Sequence, residues 1–236
     1  MIIDSCTLDP TSAYKLLIGS ILPRAIAWVS TRSTHGIANL APISFFTAVG
    51  RNPPVVSISL QPRSDGVTLK DTFVNIRDTG EFVVNMVSLP QAHEMHRSAF
   101  EFDPEVDEFD AVGLGKEASV VVRPPRIQGA PISMECRLDR IIPMGSNNDH
   151  VVFGEVLRFH VRDDLYLPGG RIDTGAVQAV GRLAAEYTLV RNAFTTPLAP
   201  ELLASFDGRR AERLDGHEDG WSPIDTKAWS ASGATR

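Results

Sequence analysis

Short apolar segments rich in β-branched and aromatic residues recur along the chain, and turn-forming residues bound them. They are residues 25–31 (AIAWVST), 55–60 (VVSISL), 82–87 (FVVNMV), 119–122 (SVVV), 132–138 (ISMECRL) and 151–161 (VVFGEVLRFHV). Turn signals fall at His35-Gly36, at Asn52-Pro53-Pro54, and at residues 77–80 and 145–148. Such segments read as strands. Their fairly regular spacing predicts a mainly β fold with peripheral helices, a barrel or sandwich rather than alternating β and α units. No G-x-G-x-x-G follows a strand, which argues against a dinucleotide-binding βαβ unit. Residues 68–77 (TLKDTFVNIR) place Leu69, Phe73 and Ile76 on one helical face, with Asp65 and Thr68 as N-cap candidates. Residues 89–100, with Pro90 in the first turn, read as a second helix, and residues 198–206 as a third. Beyond Asp207 the chain is polar and weakly periodic, and reads as an arm, either mobile or wrapped over a partner subunit.

The net charge of -6 argues against a nucleic-acid binder, which needs a basic face to neutralise phosphates. A local basic pocket for one phosphate stays open. The two cysteines, Cys6 and Cys136, form no CxxC and no zinc spacing. They read as reduced thiols of a cytoplasmic protein. The N-terminal stretch has acids and no basic region ahead of an apolar core, so no signal peptide is expected. No run approaches the ~20 apolar residues that cross a bilayer, so no membrane association is expected.

Four groups of residues could carry chemistry. The run from Ser30 and Thr31 to Gly36 ends a strand in hydroxyls and a turn, which fits either an anion-binding nest or an ordinary hairpin. Asn39, Leu40, Ala41, Pro42, Ser44 and Phe45 mix an amide, a hydroxyl, a proline and an aromatic ring without simple alternation. That mixture suits a planar heterocycle with a polar edge and an apolar edge, or a barrel core. Arg63 follows a strand, while Lys70 and Thr72 open a predicted helix. A phosphate there would gain from free N–H groups, an Arg fork and an ammonium; the alternative is a solvated helix start. Asp149-His150 precedes a long strand and fits a substrate-facing or a structural histidine. His93 and His96 lie three apart on a predicted helix, but the acidic loop after them reads as solvated and no metal site is expected. Signatures for a Ser/His/Asp triad or for paired carboxylates are absent.

Taken in order, YKLLIGSILPRAIAWVSTRSTHGIANLAPISFFTAV, PPVVSISLQPR, LKDTFVNIRDTGEFVVNMV, DHVVFGEVLRFHV and AVGRLAAEYTLVRNAF resemble the flavin-reductase-like, FMN-binding split-barrel family. The resemblance spans roughly residues 14–194. It implies a six-stranded antiparallel split barrel over residues 1–196, with residues 197–236 as a C-terminal extension. It implies a homodimer with FMN near the subunit interface. Ser30, Thr31, Arg63, Lys70 and Thr72 would then sit near the phosphate. Asn39, Leu40, Ala41, Pro42, Ser44 and Phe45 would line the ring. His150, Arg182 and Tyr187 would approach the reacting side as the catalytic set. One segment departs from the family pattern: Ala184-Ala185-Glu186 stands where a glycine pair is common, which would narrow or polarise the nicotinamide side.

The activity implied is an NAD(P)H-dependent flavin or FMN reductase, with a monooxygenase as a possible recipient of the reduced flavin. Two other readings stand beside it. One is an FMN-dependent oxidase or oxygenase acting on a small organic substrate. The other is an electron-transfer protein resembling flavoredoxin. A split barrel that binds no flavin is the remaining alternative.

Overall fold

The structure is a computed structural model and describes residues 1–190. The expected helix at 198–206 and the arm after Asp207 lie outside the described residues. Helix α1 (Pro10–Ser20) comes first, followed by strands β1 (Ala27–Arg32), β2 (Ala38–Ile43), β3 (Phe46–Arg51) and β4 (Pro54–Leu60). Helix α2 (Asp71–Thr79), strand β5 (Glu81–Met86), and the short helices α3 (Ala92–Arg97) and α4 (Glu108–Val112) come next. Two long strands, β6 (Ile132–Met144) and β7 (Asp149–Val161), complete the main sheet. Its order is β2-β1-β5-β6-β7-β4-β3, antiparallel throughout. The sheet therefore has seven strands, one more than the six expected. The extra count arises because Ser44-Phe45 interrupts one continuous excursion into β2 and β3, the two outer strands of the sheet. Across that split the Ser59 amide donates to the Phe45 carbonyl at 2.9 Å.

Strand β1 shows why the sheet folds around two cores. It is paired on both edges, with β2 and β5. Alternation sends Ala27 and Val29 inward, where Ile58, Phe73, Ile76 and Phe82 fill the barrel. The same alternation sends Trp28 outward to Leu40, Met95 and Phe109 in a second core under α3 and α4. The Trp28 indole N–H donates to Ser98 Oγ at 2.8 Å, so this ring is buried with its polar atom satisfied.

Two local expectations change. Residues 119–122 form no strand. The amides of Val120, Val121 and Val122 all donate to the carboxylate of Glu135 on β6, so the donors a strand would need are already used. Burial alone would raise this carboxyl, but the amides of Val120 and Val121 and the His160 ring hold its pKa below the usual range. The helix expected over 68–77 begins at Asp71, because Asp65 spends its carboxylate on a separate turn, accepting from the amides of Val67 and Thr68. It ends at Gly80, whose φ of 73° suits a left-handed C-cap. Helix α1 carries Tyr14, Leu17 and Ile18 at helical spacing but buries none of its residues, and Asp9 as N-cap and Pro10 in the first turn mark its start. The expected second helix is a 3₁₀ turn (Leu89–Gln91) followed by α3.

Gly154 on β7 is a close approach: a methyl added there would lie 2.2 Å from Phe82 Cζ in the barrel core. Gly154→Ala should therefore lower stability by about 1–3 kcal/mol through overpacking. Urea unfolding of that variant, and of Gly154→Ala combined with Phe82→Leu, checks this: the double variant should recover part of the loss.

Candidate functional site

Thr31 and Asn39 face each other across the β1–β2 pair, on the inward side where α2 covers the barrel end. Asn39 Oδ1 accepts from Thr31 Oγ1 at 3.2 Å and from Thr72 Oγ1 at 2.9 Å. Asn75 Nδ2 donates to Thr31 Oγ1 at 3.0 Å. These four buried side chains bolt α2 to the sheet, and the start of α2 forms one wall of a cleft. Its lining includes Asn39, Ala41, Pro42, Arg63, Lys70 and Thr72, with residues 98–102 along one side.

The cleft carries mixed charge. Arg63 is ion-paired with Asp71 and also donates to the Phe102 carbonyl at 3.0 Å. Glu101 accepts from Ser64 N and Oγ at 2.7 and 2.8 Å. Lys70 is half-buried; burial lowers the pKa of its ammonium, the Glu101 charge opposes that, and Arg63 adds to it. Glu108 of α4 lies at the floor, nearly fully buried, and Leu40 N donates to its Oε2 at 2.5 Å. Burial pushes its pKa up to about 7, against the Leu40 amide and the Asn39 side chain, which favour the ionised form.

A second compartment adjoins the first, and Pro42 and Ala99 line both. Ser44, Arg24, His96, Arg182 and Tyr187 line it. Arg182 is fixed by a backbone bridge to Arg24, and its guanidinium carbon lies 4.7 Å from the Tyr187 ring centroid. Tyr187 Oη and His96 Nδ1 are 3.0 Å apart, and His96 is open to solvent.

The expected residues thus divide. Asn39, Ala41, Pro42, Arg63, Lys70 and Thr72 meet in the first compartment, and Pro42, Ser44, Arg182 and Tyr187 in the second. Thr31 acts from behind, through Asn39. Phe45 sits beside Tyr14, with ring centroids 6.4 Å apart. Ser30 points to the other face of β1, where its hydroxyl donates to the Pro125 carbonyl at 2.5 Å. The Leu40 side chain belongs to the second core, and only its amide serves the cleft. His150 packs on Phe73, centroids 4.3 Å apart, and lines neither compartment. The turn after β1 is a hairpin: Ser33 N donates to the Ile37 carbonyl, and Ser33, Thr34 and His35 border a cavity with Asp71, Asp78, Asp103 and Glu105. Acids surround that turn, which disfavours an anion nest. Glu186 turns toward the Ala185 amide, so Ala184 rather than the Glu borders the second compartment. Glu108 and Arg24 carry no local signal in the sequence, and His96 stands out there only as a neighbour of His93. Glu108 lies on a five-residue helix, and His96 meets Tyr187 across 91 positions. Among the described residues no cluster of three or more His, Cys, Asp or Glu side chains could hold a metal ion, and no helix is long and apolar enough to cross a membrane.

Residues 18–176 match the flavin reductase like domain family. An uncharacterised protein of Aquifex aeolicus is 44% identical over 179 residues, 76% of this chain and 90% of that protein. Nitrilotriacetate monooxygenase component B from Bacillus cereus superposes with a TM-score of 0.79 at 33% identity, covering 83% of this chain and 98% of its own. The 2-nitrobenzoate 2-nitroreductase of Pseudomonas fluorescens superposes with a TM-score of 0.76 at 31% identity, covering 85% of this chain and 97% of its own.

Glu108 makes the fold sensitive to pH. Its carboxyl titrates near 4.5 when exposed and at about 7 in the fold, so between these values the folded state holds the extra proton and stability falls as pH rises. A shift of this size amounts to roughly 2–4 kcal/mol. Glu108→Gln keeps an acceptor for Leu40 N and removes the charge. Denaturant unfolding from about pH 5 to about pH 8 should show the wild type losing roughly 2–3 kcal/mol more than the variant.

Proposed function

The chain belongs to the flavin reductase like domain family, and from that premise we propose that it is an FMN-binding oxidoreductase, an NAD(P)H-dependent flavin reductase. The observation that carries this reading is the adjoining pair of compartments. One holds a half-buried ammonium, a guanidinium and a helix start. The other is lined by aromatic and cationic side chains, and Pro42 and Ala99 border both. A ligand with a terminal phosphate and a planar ring matches that sequence of chemistries.

The donor set fits FMN. Lys70 would take the phosphate as a point charge, and Arg63 would share its fork between phosphate and Asp71. Thr72 is committed to Asn39, so it positions the wall rather than the ligand. Ala41, Pro42 and Ser44 would flank the ring. When bound, FMN supplies the hydride-accepting centre at N5, with a nicotinamide as the donor. The protein's own proton chemistry would run through Tyr187 Oη, which exchanges a proton with His96 Nδ1, and from there with solvent. Below about pH 7 the protonated form of Glu108 would keep the floor of the phosphate compartment from adding negative charge.

Helix α1 supports a homodimer: none of its residues is buried, and Tyr14, Leu16 and Leu17 are exposed. The Bacillus cereus relative is one component of a monooxygenase, which supports delivery of reduced flavin to a monooxygenase partner. The Pseudomonas fluorescens relative is a nitroreductase. Together with the two guanidinium groups in the second compartment, that favours a second reading, in which bound FMN serves an organic substrate directly.

Anaerobic stopped-flow mixing of FMN-loaded protein with NADH or NADPH should bleach the flavin absorbance; no bleaching with either would exclude the reductase reading. Lys70→Met should weaken FMN binding at least tenfold, or ~1.4 kcal/mol, in a fluorescence titration. The wild-type affinity should fall with added salt while that of the variant falls less.

A further inference from the structure

Glu108 borders two cavities at once. It lines the phosphate-side compartment with Arg63 and Lys70. It also lines a neighbouring cavity of about 710 Å³ with His35, Asp103 and Glu105. That cavity opens to solvent, because His35, Asp103 and Glu105 are all exposed. Glu108 itself is 5% exposed, and its Oε2 accepts from Leu40 N. Among the described residues no cation forms an ion pair with it. Arg63 pairs with Asp71, and Lys116 pairs with Asp107 and Asp110, which stand on either side of Glu108 in the sequence.

The charges around this carboxyl group come from four directions. Helix α2 brings Asp71 and Asp78, and the turn between β1 and β2 brings His35. The segment before α4 brings Glu101, Asp103 and Glu105. The segment before α2 brings Arg63 and Lys70, the two fixed cations. Acids therefore outnumber cations in this surround. A phosphate dianion placed beside Arg63 and Lys70 adds two more negative charges and takes a share of both cations. An ionised Glu108 becomes costlier in that field, whereas the neutral acid does not. Protonation also turns an acceptor-only group into one with an O–H donor, which suits an anionic neighbour.

We propose that Glu108 couples the phosphate compartment to a proton: a phosphate monoester enters together with a proton, taken from solvent through the neighbouring cavity onto the Glu108 carboxyl, and loss of that proton weakens the hold on the ligand. The proposal rests on the reading that this compartment holds the FMN phosphate. It adds a means by which flavin is held more tightly below neutral pH than above it, and it gives the neighbouring cavity a role as the proton's entry.

The pH window follows from the ligand-free protein, where Glu108 titrates at about 7 and a bound anion moves that value further up. Proton uptake is therefore greatest somewhat above about pH 7 and vanishes near about pH 5, where the carboxyl is already protonated. The ester's own second ionisation, near about pH 6, contributes proton release on binding to cations, the opposite sign. Lys70 also titrates more readily than a free lysine, but it does so in wild type and variant alike.

Calorimetric titration of FMN into the protein, in phosphate-free buffers of different ionisation heat, reads the protons taken up. At about pH 7.5 the wild type should take up roughly half a proton per FMN more than Glu108→Gln. Between about pH 6.5 and about pH 8.5 its affinity should fall at least ~threefold more than that of the variant. Equal proton uptake in the two proteins overturns the proposal. Riboflavin, which lacks the phosphate, should draw less proton than FMN into the wild type; equal uptake with the two flavins overturns the proposal without recourse to any variant. If the protein takes up no FMN, the flavin reading fails by itself. Phenyl phosphate titrated into the flavin-free protein is then the probe, and the same comparison of wild type with Glu108→Gln decides. No binding of phenyl phosphate in that case overturns the proposal as well.

Discussion

Two threonine hydroxyls, from Thr31 and Thr72, converge on one oxygen, Asn39 Oδ1. Because Thr31 lies on β1, Asn39 on β2 and Thr72 on α2, this junction fixes the helix to the end of the barrel. Asn75 closes it from one turn further along α2. Each group is buried, so an unmade bond would cost about 1–3 kcal/mol, and the arrangement therefore has one satisfied solution. The position of the helix sets the position of Lys70 and Asp71, and Asp71 holds Arg63. The Leu40 amide, one residue beyond Asn39, anchors Glu108 and with it α4. The phosphate-side wall of the cleft depends on this small polar knot at the barrel rim.

Much of the fold was legible because burial writes a period into the sequence. Residues 25–31 and 55–60 alternate or run apolar as strands buried on one or both faces must; residues 27–31 lie in β1 and residues 55–60 in β4. The run at 119–122 has the same composition but no strand, because its amides are claimed by Glu135, a residue thirteen to fifteen positions away. Strands β2 and β3 were hidden for the opposite reason. Residues 38–51 carry Asn39, Pro42 and Ser44 among their apolar neighbours, so the period is broken at the places where the chain borders the cleft.

Site residues followed the same division. Arg63, Lys70 and Thr72 stand close in sequence at a helix start, and helix-end chemistry announces them. Glu108 and His96 become functional candidates only through tertiary placement, one by burial against Leu40 N and the other by meeting Tyr187. Ser30 shows the converse. Its neighbour Thr31 faces the cleft end, and strand alternation alone turns Ser30 to the opposite side of the sheet.

Strand β1 is paired along both edges and packed on both faces, and this has a kinetic meaning. Its amides exchange with solvent only when the barrel core and the outer core separate together, so their protection tracks the global unfolding free energy. The cleft wall at residues 98–102 makes no such double commitment, and its Ala99, Phe100 and Glu101 are exposed. Hydrogen exchange would therefore separate the molecule into a slow frame and a fast wall. A bound ligand would register first as slowed exchange in that wall, while β1 changes only in proportion to the stability that the ligand adds.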